Sequence, residues 1–457
     1  MSDNQPQIRP TSTLIAQLVA DHLWSEASFK DFVNVFSYHN SLPESAPERL
    51  LANLCRTNHT WARPARLALR KRIVIRNVEA LRDIDSLLNP ITSRSDESPD
   101  VDDEAEIASH PWVTELYIRD DIVRFPREEI DIAPRVIRLF EACPNVRKLY
   151  LKTVFVASNM IDFDSIVARL GKLVHLRMLW LRHVPGLDRE PPPDLATLCA
   201  ILPELYKLEK LFVTGWTLGR RDRSDADHKH ARDWGESSPP KTLKTLSIQS
   251  FATYRGIYDP QALSWLLKPT SSYRPTAFSL SMQDVALFLP KSQFLTCMRA
   301  LLPNIHSLHA WNYDERKNAT LMSILELCCS LRRLCIIVSP KMDTARTILL
   351  LFDNSESSKI SGIPRNLREL HIHFRGGFSF RPNMYKADNQ LATQIRMLPD
   401  LKKVSITTPL VFIEFDLHPP LVNWDTFQAT RVYCEAMGIE FAVEDTGTSS
   451  PPLPYYY

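Results

Sequence analysis

The sequence predicts a mixed α/β solenoid, an irregular stack of about ten strand–helix repeats, preceded by a small all-α N-terminal module. Three observations predict it. A short apolar motif recurs after residue 110, its copies keep a similar spacing, and apolar segments of helical length separate them. We therefore expect a helical module over residues 10–90 and the solenoid over residues 110–445.

The repeated motif reads apolar-x-x-apolar-x-apolar, and its fourth and sixth positions alternate with a different residue. This period of two indicates a short strand with one buried face. The shortest spacing between fourth positions is 26 residues, from Leu308 to Leu334, and the longest is 36, from Leu334 to Leu370. The ten fourth positions are Leu116, Leu149, Leu179, Leu211, Leu246, Phe278, Leu308, Leu334, Leu370 and Val404.

Apolar segments between the motifs predict one helix per repeat. The clearest are 136–142, 195–202, 294–302, 321–329 and 390–398. A last helix at 424–437 and the segment 438–443 after it are expected to close the stack. The sixth and seventh motif copies are the weakest, which predicts a bend or bulge near residues 255–320.

Motif and spacing together resemble leucine-rich repeats, although the period is longer than the usual 20–29 residues. The resemblance implies a horseshoe whose strands line a concave binding face. The fifth motif positions would be exposed there, and in the first four copies they are aromatic. Strands about 4.8 Å apart would stack these rings, either as partner contacts or only as support for the strands. The predicted partner-binding residues are Tyr117, Tyr150, Lys152, Trp180, Arg182 and Phe212.

Three segments interrupt or follow the repeats and cannot build a core of their own. Residues 91–109 include the acidic run SRSDESPDVDDEAE and are predicted to be a disordered linker. Residues 219–241 are of mixed charge and rich in Ser and Pro, which predicts a mobile insertion. The tail at 446–457 is also predicted to be disordered.

The N-terminal module carries a second resemblance. Residues 50–66 read LLANLCRTNHTWARPAR and residues 71–75 read KRIVI. These segments resemble the second half of the F-box in fungal F-box proteins, where a Leu, a Cys-Arg pair and a Trp precede an Ala/Arg-rich helix and a short strand. The counterpart of the first half is 13–23.

The resemblance implies that the module binds the adaptor of an SCF-type cullin-RING ubiquitin ligase. The chain would then be a substrate receptor, with its concave face holding a protein target. The alternative is a stand-alone interaction scaffold without a ligase, its N-terminal helices forming only a cap. The apolar residues implied in contacts within the module and to the adaptor are Leu14, Ile15, Leu18, Val19, Leu51, Leu54 and Trp61.

The sequence contains no recognisable catalytic, nucleotide-binding or metal-binding motif. Only 11 glycines occur, and no phosphate-binding loop, GxSxG or HExxH motif is present. Packing explains Cys328, Cys329 and Cys335 better than metal binding, and His371 and His373 project from one strand face without a partner motif. We expect a protein that is not an enzyme and needs no cofactor or metal; a hydrolase with an unrecognised site is the weaker alternative.

Charge and hydropathy restrict the partners. The chain has 55 basic and 53 acidic residues, a net charge of +2, so any charged recognition must be local. We expect no binding to nucleic acid or membranes, because neither a global basic field nor a long apolar run is present. Eight cysteines without a CxxC pair suit a reducing compartment, so we expect an intracellular protein, cytoplasmic or nuclear.

Overall fold

Parallel strands alternate with helices in the structure, a computed structural model of the chain. The chain divides into two units, residues 1–179 and 180–457, and each is described by itself. The described residues are 16, 19–20, 46–57, 59–75, 110–118, 132–154, 161–184, 195–215, 238–249, 260–267, 269–270, 273–281, 298–313, 318–338, 344–351, 363–374, 384–408 and 427–445.

Unit 1 begins with two helices and continues with strands and helices in alternation. Its elements are α1 (Ala46–Thr57), α2 (His59–Leu69), β1 (Arg72–Ile75), β2 (Glu115–Ile118), α3 (Ile132–Ala142), β3 (Lys148–Val154) and α4 (Ile161–Leu170). The pairs β1–β2 and β2–β3 are parallel, and Leu116 is in register with Ile73 on one side and Leu149 on the other. The short strand after the N-terminal helices thus belongs to the same sheet as the repeats.

Unit 2 repeats the same strand–helix order to the end of the described chain. After β4 (Met178–Val184), which crosses the division, come α5 (Leu195–Ile201), β5 (Lys210–Thr214), β6 (Thr245–Gln249), α6 (Pro260–Leu267), β7 (Ala277–Ser281), β8 (Ser307–Tyr313), α7 (Asn318–Leu327), β9 (Arg333–Val338), α8 (Thr344–Leu351), β10 (Glu369–Phe374), α9 (Met384–Ile395), β11 (Lys403–Thr408), α10 (Gln428–Met437) and β12 (Glu440–Asp445). The strands are assigned in chain order to one 12-stranded parallel sheet.

The ten predicted strands are confirmed, and the motif sets their register. From β5 to β11 each fourth position pairs with the fourth position of the next repeat, as Leu334 does with Leu308 and Leu370. All ten fourth positions are buried. A strand has period two, so the sixth positions fall on the same buried face. The predicted irregularity near 255–320 is also confirmed, because the β8–β9 pairing shifts register between Ala310 and Tyr313.

A backbone hydrogen-bond pattern joins consecutive repeats just before each strand. The N–H groups of the second and third motif positions both donate to the carbonyl of the second position in the preceding repeat. Arg332 and Arg333 donate to His306 at 2.8 and 2.9 Å, and Arg368 and Glu369 donate to Arg332 at 2.7 and 2.9 Å. The backbone N–H groups just before a strand therefore find their hydrogen-bond acceptor in the preceding repeat.

Side chains at the turns before the strands add a further link between repeats. Asn145 Nδ2 donates to the Pro111 carbonyl at 2.8 Å, and Asn366 Nδ2 donates to the Cys329 carbonyl at 3.3 Å. Thr242 Oγ1 donates to the Leu208 carbonyl at 2.7 Å. Each donor stands one residue before the first motif position, so a polar side chain there joins the turns of consecutive repeats.

The predicted helices 136–142, 195–202, 321–329 and 390–398 correspond to α3, α5, α7 and α9, with ends shifted by a few residues. Of the segment 294–302, only residues 298–302 are described, and a 3-10 turn follows at Leu302–Asn304. The linker 91–109, residues 219–237 of the insertion and the tail 446–457 lie outside the described residues. Within the described residues, no helix is both long and apolar enough to cross a bilayer.

The last repeat is fixed by a buried carboxylate. Asp388 of α9 accepts hydrogen bonds from the backbone N–H groups of Ala429 and Thr430, at 2.8 and 3.0 Å, and from Thr430 Oγ1 at 2.6 Å. These amides lie in the first turn of α10 and have no partner within their own helix. Asp388 thus caps α10 from the neighbouring helix, while Gly438, with φ of 68°, ends it.

We expect Asp388→Ala to destabilise α10 by about 2 kcal/mol, because the backbone amides of Ala429 and Thr430 lose their acceptor. Amide hydrogen exchange followed by mass spectrometry measures this locally, as faster exchange over residues 428–437. Asp388→Asn keeps one acceptor and should recover part of the protection, and the exposed Asp400→Ala is the control. Unchanged exchange in Asp388→Ala contradicts the capping role.

Candidate functional site

The N-terminal helices pack through small side chains. Leu51 of α1 is fully buried against Ala20, Ala65 and Ala68, and Leu54, Cys55 and Leu69 pack around this cluster. Alanines let the two helices approach closely and leave a pocket that one leucine fills. In this arrangement Leu51 makes contacts within the module.

Other apolar side chains of the same helices face solvent. Val19 is 36% exposed, Leu50 46% and Leu67 40%. Of the residues named from sequence, Leu54 and Trp61 are half-buried, while Leu14, Ile15 and Leu18 lie outside the described residues. Leu50 and Leu67 were missed by the sequence reasoning. Leu50 precedes the buried Leu51 in the helix, and adjacent helical residues point in different directions. The pair of leucines therefore could have indicated that one of the two is exposed.

A buried ion triad links β1 to the first repeats within unit 1. Glu115 is 3% exposed, and its carboxylate lies between two cations from the strands on either side. Arg72 Nε donates to Glu115 Oε2 at 2.9 Å, and Lys148 Nζ lies 2.8 Å from Glu115 Oε1. All three side chains start from the same register position of their strands. The triad therefore fixes the order and register of β1, β2 and β3.

The aromatic fifth positions of unit 1 lie beside this triad. The Tyr117 and Tyr150 rings, in register on β2 and β3, have centroids 6.2 Å apart with planes tilted by 33°. The Arg72 guanidinium lies 5.1 Å from the centroid of the Tyr117 ring. That distance and the partly desolvated cation favour a cation–π attraction.

A second aromatic pair lies in unit 2, where the Trp180 and Phe212 centroids are 6.1 Å apart. Trp180 and Arg182 are half-buried, and the side chain of Lys152 in unit 1 lies outside the described part. The two pairs belong to different units and are treated as separate pairs. The four predicted aromatic rings thus form two pairs, Tyr117 with Tyr150 and Trp180 with Phe212.

The expectation that the fifth positions are exposed is wrong for three of the four rings. Tyr117 is 6% exposed, Tyr150 8% and Phe212 3%. Bulky side chains on strands about 4.8 Å apart cover one another, and Arg72 covers Tyr117 further. Later fifth positions are buried as well, at Ser247, Ser279, Cys335, His371 and Ser405. Only Trp180 of the four rings is accessible to a partner to an appreciable degree.

A row of titratable groups crosses the sheet of unit 2, where His309, Cys335 and His371 occupy one register position of β8, β9 and β10. Burial lowers the pKa of His309 to about 3 and raises that of Cys335 to about 12. Burial also lowers the pKa of His371, whose Nε2 lies 3.3 Å from Glu369 Oε2. His371 and His373 stack with centroids 6.4 Å apart.

Near neutral pH this row holds neutral imidazoles and a protonated thiol, so it presents neither a nucleophilic thiolate nor an imidazolium acid. Among the described residues, no group of three or more His, Cys, Asp or Glu side chains has the geometry to hold a metal ion. Packing within the sheet explains this row, and we assign it no chemistry.

Comparison with known proteins adds little beyond the repeat pattern. No family model matches the chain, and no curated protein does. Among matching solved structures is the crystal structure of a TLR13–ssRNA13 complex, 12% identical to this chain with a TM-score of 0.29. The match covers 74% of this chain, which spans 46% of that one. A likeness at this level assigns neither function nor partner, so the repeat pattern and the parallel sheet carry the resemblance to leucine-rich repeats.

We expect Glu115→Ala to destabilise β1, β2 and β3 by about 3 kcal/mol, because removing the anion leaves the buried Arg72 uncompensated. Hydrogen exchange of these strands during urea titration measures the loss. The control is Glu141→Ala, which breaks an exposed pair with Lys172 at 3.7 Å and should change stability by less than about 1 kcal/mol. Equal effects of both substitutions would argue against the buried triad.

Buried thiols should be unreactive in the native protein. Burial raises the pKa of Cys143, Cys328 and Cys335 to about 12, so about one thiol in 10,000 is ionised at pH 8. Iodoacetamide at pH 8, followed by peptide mass spectrometry, should label the exposed Cys329 and spare these three until urea is added. Rapid labelling of Cys335 in the native protein would reveal a reactive thiolate and reopen the possibility of enzyme chemistry.

Proposed function

We propose that this chain is a non-catalytic protein-recognition scaffold. The observation that carries the proposal is the register of its strands, which places equivalent motif positions of consecutive repeats side by side across a parallel sheet. Such rows give a long surface whose chemistry is set one residue per repeat, which suits an extended partner. The thiols and imidazoles described above supply no activated group, in keeping with recognition rather than catalysis.

Within this function we propose a substrate receptor of an SCF-type ubiquitin ligase, with the N-terminal helices binding the adaptor. Two observations support it: the F-box-like sequence at 50–66, and the apolar side chains of Val19, Leu50 and Leu67, exposed around a packed core. Exposed apolar side chains on a helical module are a common basis of protein interfaces. The alternative, a scaffold without a ligase, keeps the repeats and makes these helices a cap.

A substrate receptor must hold its target in a defined position relative to the adaptor, and in unit 1 a paired strand joins the N-terminal helices to the first repeats. Strand β1 follows α2 after two residues and pairs directly with β2. The Arg72–Glu115 pair locks that register. The adaptor module would therefore move as one body with the first repeats, and a fragment ending before β2 would lose the partner of β1.

We further propose that Trp180 contributes to target binding, alongside Lys152 and Arg182. Trp180 is the strongest candidate contact, because it is half-buried and pairs with the buried Phe212. A large ring held by a neighbour loses little conformational entropy on binding, which is typical of interface hot spots. Tyr117 and Tyr150 would act mainly by supporting the sheet.

The proposal predicts separable losses of partners in the full-length chain. Val19→Glu with Leu50→Glu should abolish binding of purified adaptor, because each change replaces an exposed apolar side chain of the module with a charged one. Trp180→Ala should leave adaptor binding unchanged and reduce recovery of target proteins by about tenfold, as expected when a hot-spot residue is lost. Calorimetry with the adaptor and quantitative affinity purification from cells measure the two effects.

The matched control is Val174→Glu, which changes an equally exposed valine of unit 1 outside the N-terminal helices. It should retain both partners. A folded wild-type chain that fails to bind adaptor would overturn the ligase proposal and leave the scaffold. If the wild-type chain recovers no more target protein than the Trp180→Ala variant does, target binding at Trp180 is contradicted.

A further inference from the structure

The second motif positions of four consecutive repeats in unit 2 form a basic row. In consecutive repeats from β8 to β11 these residues are His306, Arg332, Arg368 and Lys402, and all four side chains are exposed. Their backbones are joined directly, since Arg332 donates to His306, Arg368 to Arg332 and Lys402 to Arg368 at 2.7–2.8 Å. Neighbours in the row are therefore about 5 Å apart, the spacing of adjacent strands.

Counterions are unevenly distributed around this row. At the adjacent third positions, Arg333 Nε lies 3.3 Å from Glu369 Oε2 and Lys403 Nζ lies 2.6 Å from Glu440 Oε1. The acidic side chains next to the row are thus already paired with third-position cations. Among the described residues, Arg332, Arg368 and Lys402 have no ion-pair partner of their own. The row carries a local positive charge that the net charge of +2 conceals.

We infer that this basic row binds an acidic, extended polypeptide segment of a partner protein. A β-like or extended chain repeats its side chains on one face about every 6.8 Å, so two or three carboxylates can reach three cations spread over about 10 Å. Guanidinium groups at Arg332 and Arg368 favour carboxylates, which they bind in a bidentate manner. The inference rests on the proposed recognition function and names the chemistry of one partner.

Polypeptide is favoured over single-stranded nucleic acid by what surrounds the row. Sites for single-stranded nucleic acid combine basic residues with aromatic side chains on which bases stack. At the second, third and fifth motif positions of β8 to β11, the sequence has no Phe, Tyr or Trp. The fifth positions there are mostly small or buried. The row thus offers charge without a stacking platform.

Fluorescence anisotropy with the full-length chain tests the inference. The probe is a fluorescein-labelled decapeptide of alternating Glu and Asp, and the reference is a decapeptide of alternating Gln and Asn. Arg332→Gln/Arg368→Gln/Lys402→Gln should weaken acidic-peptide binding about tenfold, a loss of about 1.4 kcal/mol, since each of three exposed ion pairs contributes about 0.5 kcal/mol. Binding by the wild type should also weaken as salt rises from 50 to 300 mM, because exposed charges are screened.

The matched control removes the same charge elsewhere in unit 2. Arg274→Gln/Arg299→Gln/Lys386→Gln changes three exposed cations outside the row and should alter binding less than twofold. Equal losses in both triple variants, or no binding by the wild type, would overturn the inference. Tighter binding of a 15-residue oligothymidylate through the same three residues would overturn it in favour of nucleic acid.

The two proposals can fail independently. Val19→Glu/Leu50→Glu and Trp180→Ala should keep wild-type affinity for the acidic peptide, because those residues lie outside the basic row. Failure of the peptide test with retained adaptor and target binding would remove only the acidic partner. If the wild-type chain binds the acidic peptide but recovers neither adaptor nor target, the ligase proposal fails. The basic row then remains as the proposed recognition site.

Discussion

The hydrogen bonding between neighbouring parallel strands is the constraint on which this structure depends. A single strand–helix repeat cannot bury its apolar face or satisfy its backbone, so each repeat is stable only against its neighbours. The paired N–H donations that enter each strand, such as those of Arg368 and Glu369 to the Arg332 carbonyl, fix both spacing and register. Once register is set, every motif position becomes a row of side chains about 5 Å apart.

Rows at different motif positions have different structural roles. The fourth positions are buried and supply the hydrophobic free energy of the stack. The third positions alternate in charge where several ion pairs occur, as in Arg72–Glu115–Lys148 and in Arg333–Glu369, so they reinforce register. The second positions of the repeats from β8 to β11 remain exposed and basic. The row proposed for recognition therefore lies at a motif position adjacent to the positions that stabilise the sheet.

The ends of the stack need special arrangements, because a terminal repeat has a neighbour on one side only. At the N-terminal side, α1 and α2 pack through alanines around Leu51, and β1 completes the pairing of β2. At the C-terminal side, Asp388 caps α10 and β12 pairs with β11. Both ends leave apolar side chains exposed, such as Leu50 and Leu67 at the N-terminal end and Val432 and Met437 at the C-terminal end.

The sequence by itself determined the ten strands, their register and most helices, because a period of two with fixed apolar positions leaves one way to bury each strand. It also indicated the irregularity between β8 and β9. It did not determine how exposed Tyr117 and Phe212 are, since exposure depends on what the neighbouring strands place beside them. The partners of Glu115 and Asp388 lie 33 to 43 residues away in the chain, and Leu50 and Leu51 differ only in which side of α1 meets α2. Only the tertiary structure decided these, because local patterns specify which residues are apolar or charged, whereas packing between distant segments specifies what each one touches.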